Sequence, residues 1–78
     1  MEKHQGRMRW YNPKLEDFEW MEAPKSEEEA LSLLEGSLYS PTCTDTYWEW
    51  RQLGAGIPVA LIRAGEAAKE ERDQGVTS

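Results

Sequence analysis

Hydrophobic and polar positions alternate twice near the start of the chain. Met8 and Trp10 share one side of the first run, with Arg7, Arg9 and Tyr11 on the other. After Asn12-Pro13 the alternation resumes, with Phe18 and Trp20 on one side and Glu19 and Met21 on the other. Two period-2 runs around a turn-forming segment predict a β-hairpin. Keeping the aromatic sides together selects a register that pairs Trp10 with Phe18, Met8 with Trp20 and Arg9 with Glu19, because a one-residue slip exchanges the faces. Such a hairpin is marginal alone, so its aromatic face is expected to lie on helices.

The period then changes to that of helices. Ser26 followed by Glu29 is a capping-box spacing, with acids at 27–29 where the positive end of the helix dipole favours them. Ala30, Leu31, Leu34 and Leu38 follow at helical intervals, with Gly36 as a stop signal. Residues 42–53 are ambiguous. Thr, Tyr and Trp favour a strand, but Ser40-Pro41 reads as a helix start and Leu53-Gly54 as a helix end. The helical reading places Cys43, Tyr47, Trp50 and Leu53 on one side and turns Trp48 the opposite way, among Thr44, Arg51 and Gln52. Gly54-Ala55-Gly56 is then a tight turn, and Pro58 opens a last helix whose stripe of Leu61, Ala64, Gly65 and Ala68 permits close approach by a neighbour.

The expectation is an α+β domain in the order β-β-α-α-α: a two-stranded hairpin on about three helices over residues 7–72. A flexible segment 1–6 and a frayed tail 73–78 flank it. The expected core comprises Met8, Trp10, Phe18, Trp20, Leu31, Leu34, Leu38, Tyr47, Trp50, Leu53, Leu61 and Ile62.

Composition narrows the function. At 78 residues the core is thin, and one cysteine and one histidine leave neither a disulfide nor a zinc set to staple it. Four tryptophans supply much of the apolar area instead. A net charge of −6 disfavours a grip on phosphate backbones or anionic lipid and suits a basic partner. No apolar run reaches the ~20 residues of a membrane span, and no secretory leader is read at the N-terminus. The lone thiol fits a cytoplasmic setting.

Catalytic constellations are sparse. Cys43 could act as a nucleophile only with help, and His4 lies in a polar terminal stretch; a buried structural thiol is the plainer reading. Glu49 between Trp48 and Trp50 could be a general acid, though adjacent helical residues point about 100° apart and need not enclose it. The glycines at 54 and 56 lack the rest of a phosphate loop. No cofactor or metal is expected. A helix-turn-helix-like pair at the C-terminal end suggests a nucleic-acid-associated regulator as a rival, but Arg63, Lys69 and Arg72 are balanced by Glu66, Glu70 and Glu71. The favoured expectation is a small, tryptophan-rich, non-enzymatic protein-interaction module. Its contact residues are Trp48, Arg51 and Gln52, with packing of Trp48 against the aromatic hairpin as the alternative use of that ring. The partner is an unidentified protein, for which a basic surface or a second copy of the chain is compatible.

Overall fold

The computed structural model describes residues 7–75. Its elements run β1 (Arg7–Asn12), β2 (Asp17–Glu22), α1 (Glu27–Leu34), α2 (Ser40–Gln52) and α3 (Ile57–Asp73). The expected α+β order is what the chain forms, and the ambiguous 42–53 segment is helical up to its cap at Leu53. The segment 1–6 and the last residues of the tail, 76–78, lie outside the described residues.

The hairpin forms in a register one residue away from the expected one. Tyr11 faces Phe18, Trp10 faces Glu19, Arg9 faces Trp20 and Met8 faces Met21. The turn decides this. Asn12 Oδ1 accepts from the amides of Lys14 (2.9 Å) and Leu15 (3.4 Å), and its carbonyl accepts from Glu16 N at 2.7 Å. Glu16 takes the left-handed conformation (φ 57°), closing a four-residue loop over 13–16 where the expected pairing needs three. One added loop residue turns every β2 side chain over.

The inner face gains polar partners from the change. Glu19 Oε2 accepts from Asn12 Nδ2 at 2.6 Å and from the Trp10 indole at 3.4 Å, and Met21 Sδ accepts from the same indole at 3.2 Å. Outside, the Arg9 guanidinium lies 4.3 Å from the Phe18 ring centre, and Tyr11 meets Phe18 edge-on at 5.5 Å. Phe18 and Trp20, expected in the core, are therefore exposed.

Local chemistry explains the helix ends. Ser26 Oγ accepts from Glu29 N, while the Glu29 carboxylate reaches back to Lys25 N, one residue beyond the usual capping box. α1 stops at a cap on Glu35 followed by Gly36 at φ 84°, which leaves Leu38 beyond the helix and 68% exposed. α2 begins at Ser40 with Pro41 in its first turn, and Gly54 (φ 101°) follows its cap at Leu53. Leu53 is past the helical register and faces solvent, contrary to the expected core.

Packing runs α2 on α3 and α3 on β1, with α1 lying more lightly on α2 and α3. α3 presents Ala60, Leu61, Ala64, Gly65 and Ala68, all buried. Gly65 meets the Tyr11 carbonyl and the Trp10 ring, so α3 lies along β1. Tyr11 is buried although it shares a face with exposed Phe18. The core also takes in Ala30, Tyr39, Cys43 and Tyr47, while Leu31, Trp50 and Ile62 are half-buried at its margin.

Candidate protein-binding surface

α2 is an amphipathic helix with a tryptophan on its wet side. Cys43 and Tyr47 are fully buried, whereas Trp48 is 37% exposed with its ring edge-on to Tyr47 at 5.3 Å. At 3.6 residues per turn, positions 41, 45, 48 and 52 fall within about 60° of one another, with 49 beside them. Pro41, Asp45, Trp48, Glu49 and Gln52 are all exposed. They form an aromatic and acidic stripe that contains no cation.

Arg51, expected beside Trp48 at the contact surface, is engaged elsewhere. Its Nε and Nη2 lie 2.9 and 2.8 Å from Glu27 Oε2, and its Nη1 donates to the Ala55 carbonyl at 2.8 Å. The hydrogen bond it donates to Glu27 is the main reason its pKa is raised, and burial only partly opposes it. Arg51 thus ties the end of α2 to the start of α1 and to the following turn. Of the three expected contact residues, Trp48 and Gln52 share the open stripe and Arg51 borders it. Asp45 and Glu49 complete the stripe, and their spacing from Trp48 was legible in the sequence.

A second exposed aromatic group sits on the outer side of the hairpin. Phe18 (39% exposed) and Trp20 (46%) lie there with Arg9 and the exposed Arg7. This patch follows from the turn geometry, which the alternation pattern alone did not contain.

Compared with family models, curated proteins and solved structures, the chain has no match in any of the three.

The groups considered for catalysis are placed as follows. The Cys43 thiol is buried, and its pKa is pushed up to about 11 by burial first and by the Glu71 carboxylate second. A nucleophile needs the opposite direction. Beside it, the Thr42 hydroxyl bonds to Glu71, joining α2 to α3. His4 is outside the described residues. Glu49 is exposed, and the rings of Trp48 and Trp50 beside it point to different sides of α2. On α3, Arg63 pairs with Glu66 at 3.0 Å and Lys69 with Asp73 at 2.9 Å, so these cations are partly neutralised by their own helix. Among the described residues no group of three or more His, Cys, Asp or Glu side chains is placed to hold a metal ion, and no helix is long and apolar enough to cross a membrane.

The thiol yields an expectation for stability. In the unfolded chain the Cys43 thiol ionises near 9.0, whereas the folded chain holds the proton to about 11. The unfolded state therefore binds fewer protons in that window, and stability falls as pH rises from about 9 to 11. Tyr39 and Tyr47, whose hydroxyl pKa values are raised chiefly by burial, act in the same direction above pH 10.0. Urea midpoints are expected to hold constant up to about pH 8.5 and then decline, less steeply in Cys43→Ala. Iodoacetamide at about pH 8 is expected to label the native thiol far more slowly than the urea-unfolded one.

Proposed function

We propose that this chain is a small protein-interaction module with no chemistry of its own, and that it meets its partner through the exposed face of α2. The observation that carries the reading is Trp48. A chain of 78 residues has little large apolar surface to spare, yet it leaves this ring 37% exposed on a side of α2 that, among the described residues, faces solvent at Pro41, Asp45, Glu49 and Gln52. Aromatic anchors of this kind are enriched among the few residues that dominate binding energy. The acids around the ring and the net charge of −6 suit a basic partner. The single thiol, buried and unpaired, fits a reducing compartment, so we place the module in the cytoplasm.

The test uses a photo-crosslinking residue in place of Gln52 to identify the partner in cells, followed by reconstitution with that partner purified. Trp48→Ala is expected to keep the fold, read by far-UV circular dichroism, and to weaken reconstituted binding by about 30-fold or more, as for a central anchor. If binding to the purified partner is unchanged in Trp48→Ala, the reading fails. If light scattering shows a dimer that Trp48→Ala dissolves, the partner is a second copy of the chain.

A further inference from the structure

We infer that the α2 stripe receives an arginine side chain of the partner, its guanidinium stacked on Trp48 and held by the carboxylates of Asp45 and Glu49. This rests on the proposed role of α2 and names the chemistry it recognises. Three observations lead to it.

First, the two carboxylates are uncommitted. Glu19, Glu27, Glu29, Glu66, Glu71 and Asp73 all bond to a partner within the protein. Among the described residues the Asp45 and Glu49 carboxylates have no hydrogen bond or ion pair. The same holds for Glu16, Glu22, Glu28, Glu35 and Glu70, but Asp45 and Glu49 share the open side of α2 with the Trp48 ring. Carboxylates this close together on an otherwise uncharged stripe repel one another, and a cation between them relieves that repulsion.

Second, the protein already builds the same arrangement one turn of chemistry away. The Arg63 guanidinium lies 4.8 Å from the ring centre of Trp50, and the Glu66 carboxylate holds that guanidinium at 3.0 Å. Arg9 over Phe18 at 4.3 Å repeats the stacking half of the motif. Trp48 has the ring and the acids but lacks the arginine.

Third, the chain's own nearby arginine is withheld. Arg51, three residues after Trp48, directs Nε, Nη1 and Nη2 to Glu27 and the Ala55 carbonyl, so it does not neutralise the stripe. A planar, weakly hydrated guanidinium stacks on indole and forks onto a carboxylate. A lysine ammonium offers only a compact, strongly hydrated charge. The stripe should therefore distinguish arginine from lysine, which an acidic surface acting through net charge alone would not do.

The test titrates the 15N-labelled protein with blocked hexa-arginine and hexa-lysine peptides and follows the tryptophan indole resonances. Hexa-arginine is expected to shift the Trp48 indole and the amides of α2 saturably, and to bind about five-fold or more tighter than hexa-lysine. The double variant Asp45→Asn, Glu49→Gln, which leaves every ion pair described above intact, should weaken hexa-arginine binding by about ten-fold. Equal affinity for the two peptides, or shifts centred on the Trp50 indole, overturns the arginine assignment. So does the absence of saturable shifts while the spectrum remains that of the folded protein. The two readings separate cleanly. Partner binding that depends on Trp48 with no response to hexa-arginine removes this inference and leaves the module, whereas partner binding independent of Trp48 removes both.

Discussion

Trp10→Ala is expected to leave the protein largely unfolded at 25 °C. Trp10 is 1% exposed, and it is one of the largest fully buried side chains among the described residues. Its ring lies against α3 at Gly65, and its indole N–H is directed at Met21 and Glu19 on the neighbouring strand. It therefore joins three elements at one point. Truncating a buried tryptophan costs about 3–5 kcal/mol. A core of this size rarely supplies more than about 3–5 kcal/mol in total. The loss matches the whole. Trp48→Ala removes the same atoms from a ring that is 37% exposed and should cost less, about 2 kcal/mol from its partial burial and its edge-on contact with Tyr47. Urea unfolding followed by far-UV circular dichroism measures both. A folded Trp10→Ala protein with a loss below about 1.5 kcal/mol would mean that β1 is not anchored on α3 through this ring.

Gly65→Ala is expected to destabilise by about 1–3 kcal/mol, against the direction set by helix propensity. Within α3, replacing glycine by alanine should gain about 1 kcal/mol from reduced backbone entropy. The added methyl, however, would overlap the Tyr11 carbonyl oxygen and come within 3.2 Å of Trp10 Cε3. A backbone carbonyl cannot swing aside as a long side chain can, so the strand or the helix must move. The sign of the effect is the test. Ala67→Gly, on the same helix and half-buried, reports propensity alone and should cost about 1 kcal/mol. If Gly65→Ala raises the urea midpoint instead, α3 and β1 are not in the close contact described.

The hairpin register shows how a pattern can identify an element and still misplace its faces. Alternation located β1 and β2 correctly. Matching aromatic to aromatic then chose the wrong partners, because the bonds that settle the register are polar. Asn12 closes the turn on itself and takes Glu19 as a partner, and Trp10 shares that carboxylate. The outer face compensates with Arg9 stacked on Phe18. A buried amide or indole N–H without a partner costs more than leaving an aromatic ring half in water, so polar satisfaction outweighed apolar sorting.

The binding surface divides in the same way. Helical spacing alone put Trp48 and Gln52 opposite Cys43 and Tyr47, and the same spacing carries Asp45 and Glu49. The fate of Arg51 could not be read from it. Its partner Glu27 is 24 residues away, and only the docking of α1 beside α2 brings the two together.

The sequence by itself determined the element order, both helix-stop glycines, the proline-opened helices and the small-residue stripe of α3. These depend on backbone preferences and side-chain size within a few residues of one another. Only the tertiary structure decided which hairpin face is wet, that α3 runs along β1, that Leu38 and Leu53 lie outside the core, and that Trp48 stays partly open to solvent. Each of these depends on which distant group satisfies a buried N–H or fills the space beside a strand. In so thin a core, a single turn residue or a single glycine contact settles that choice.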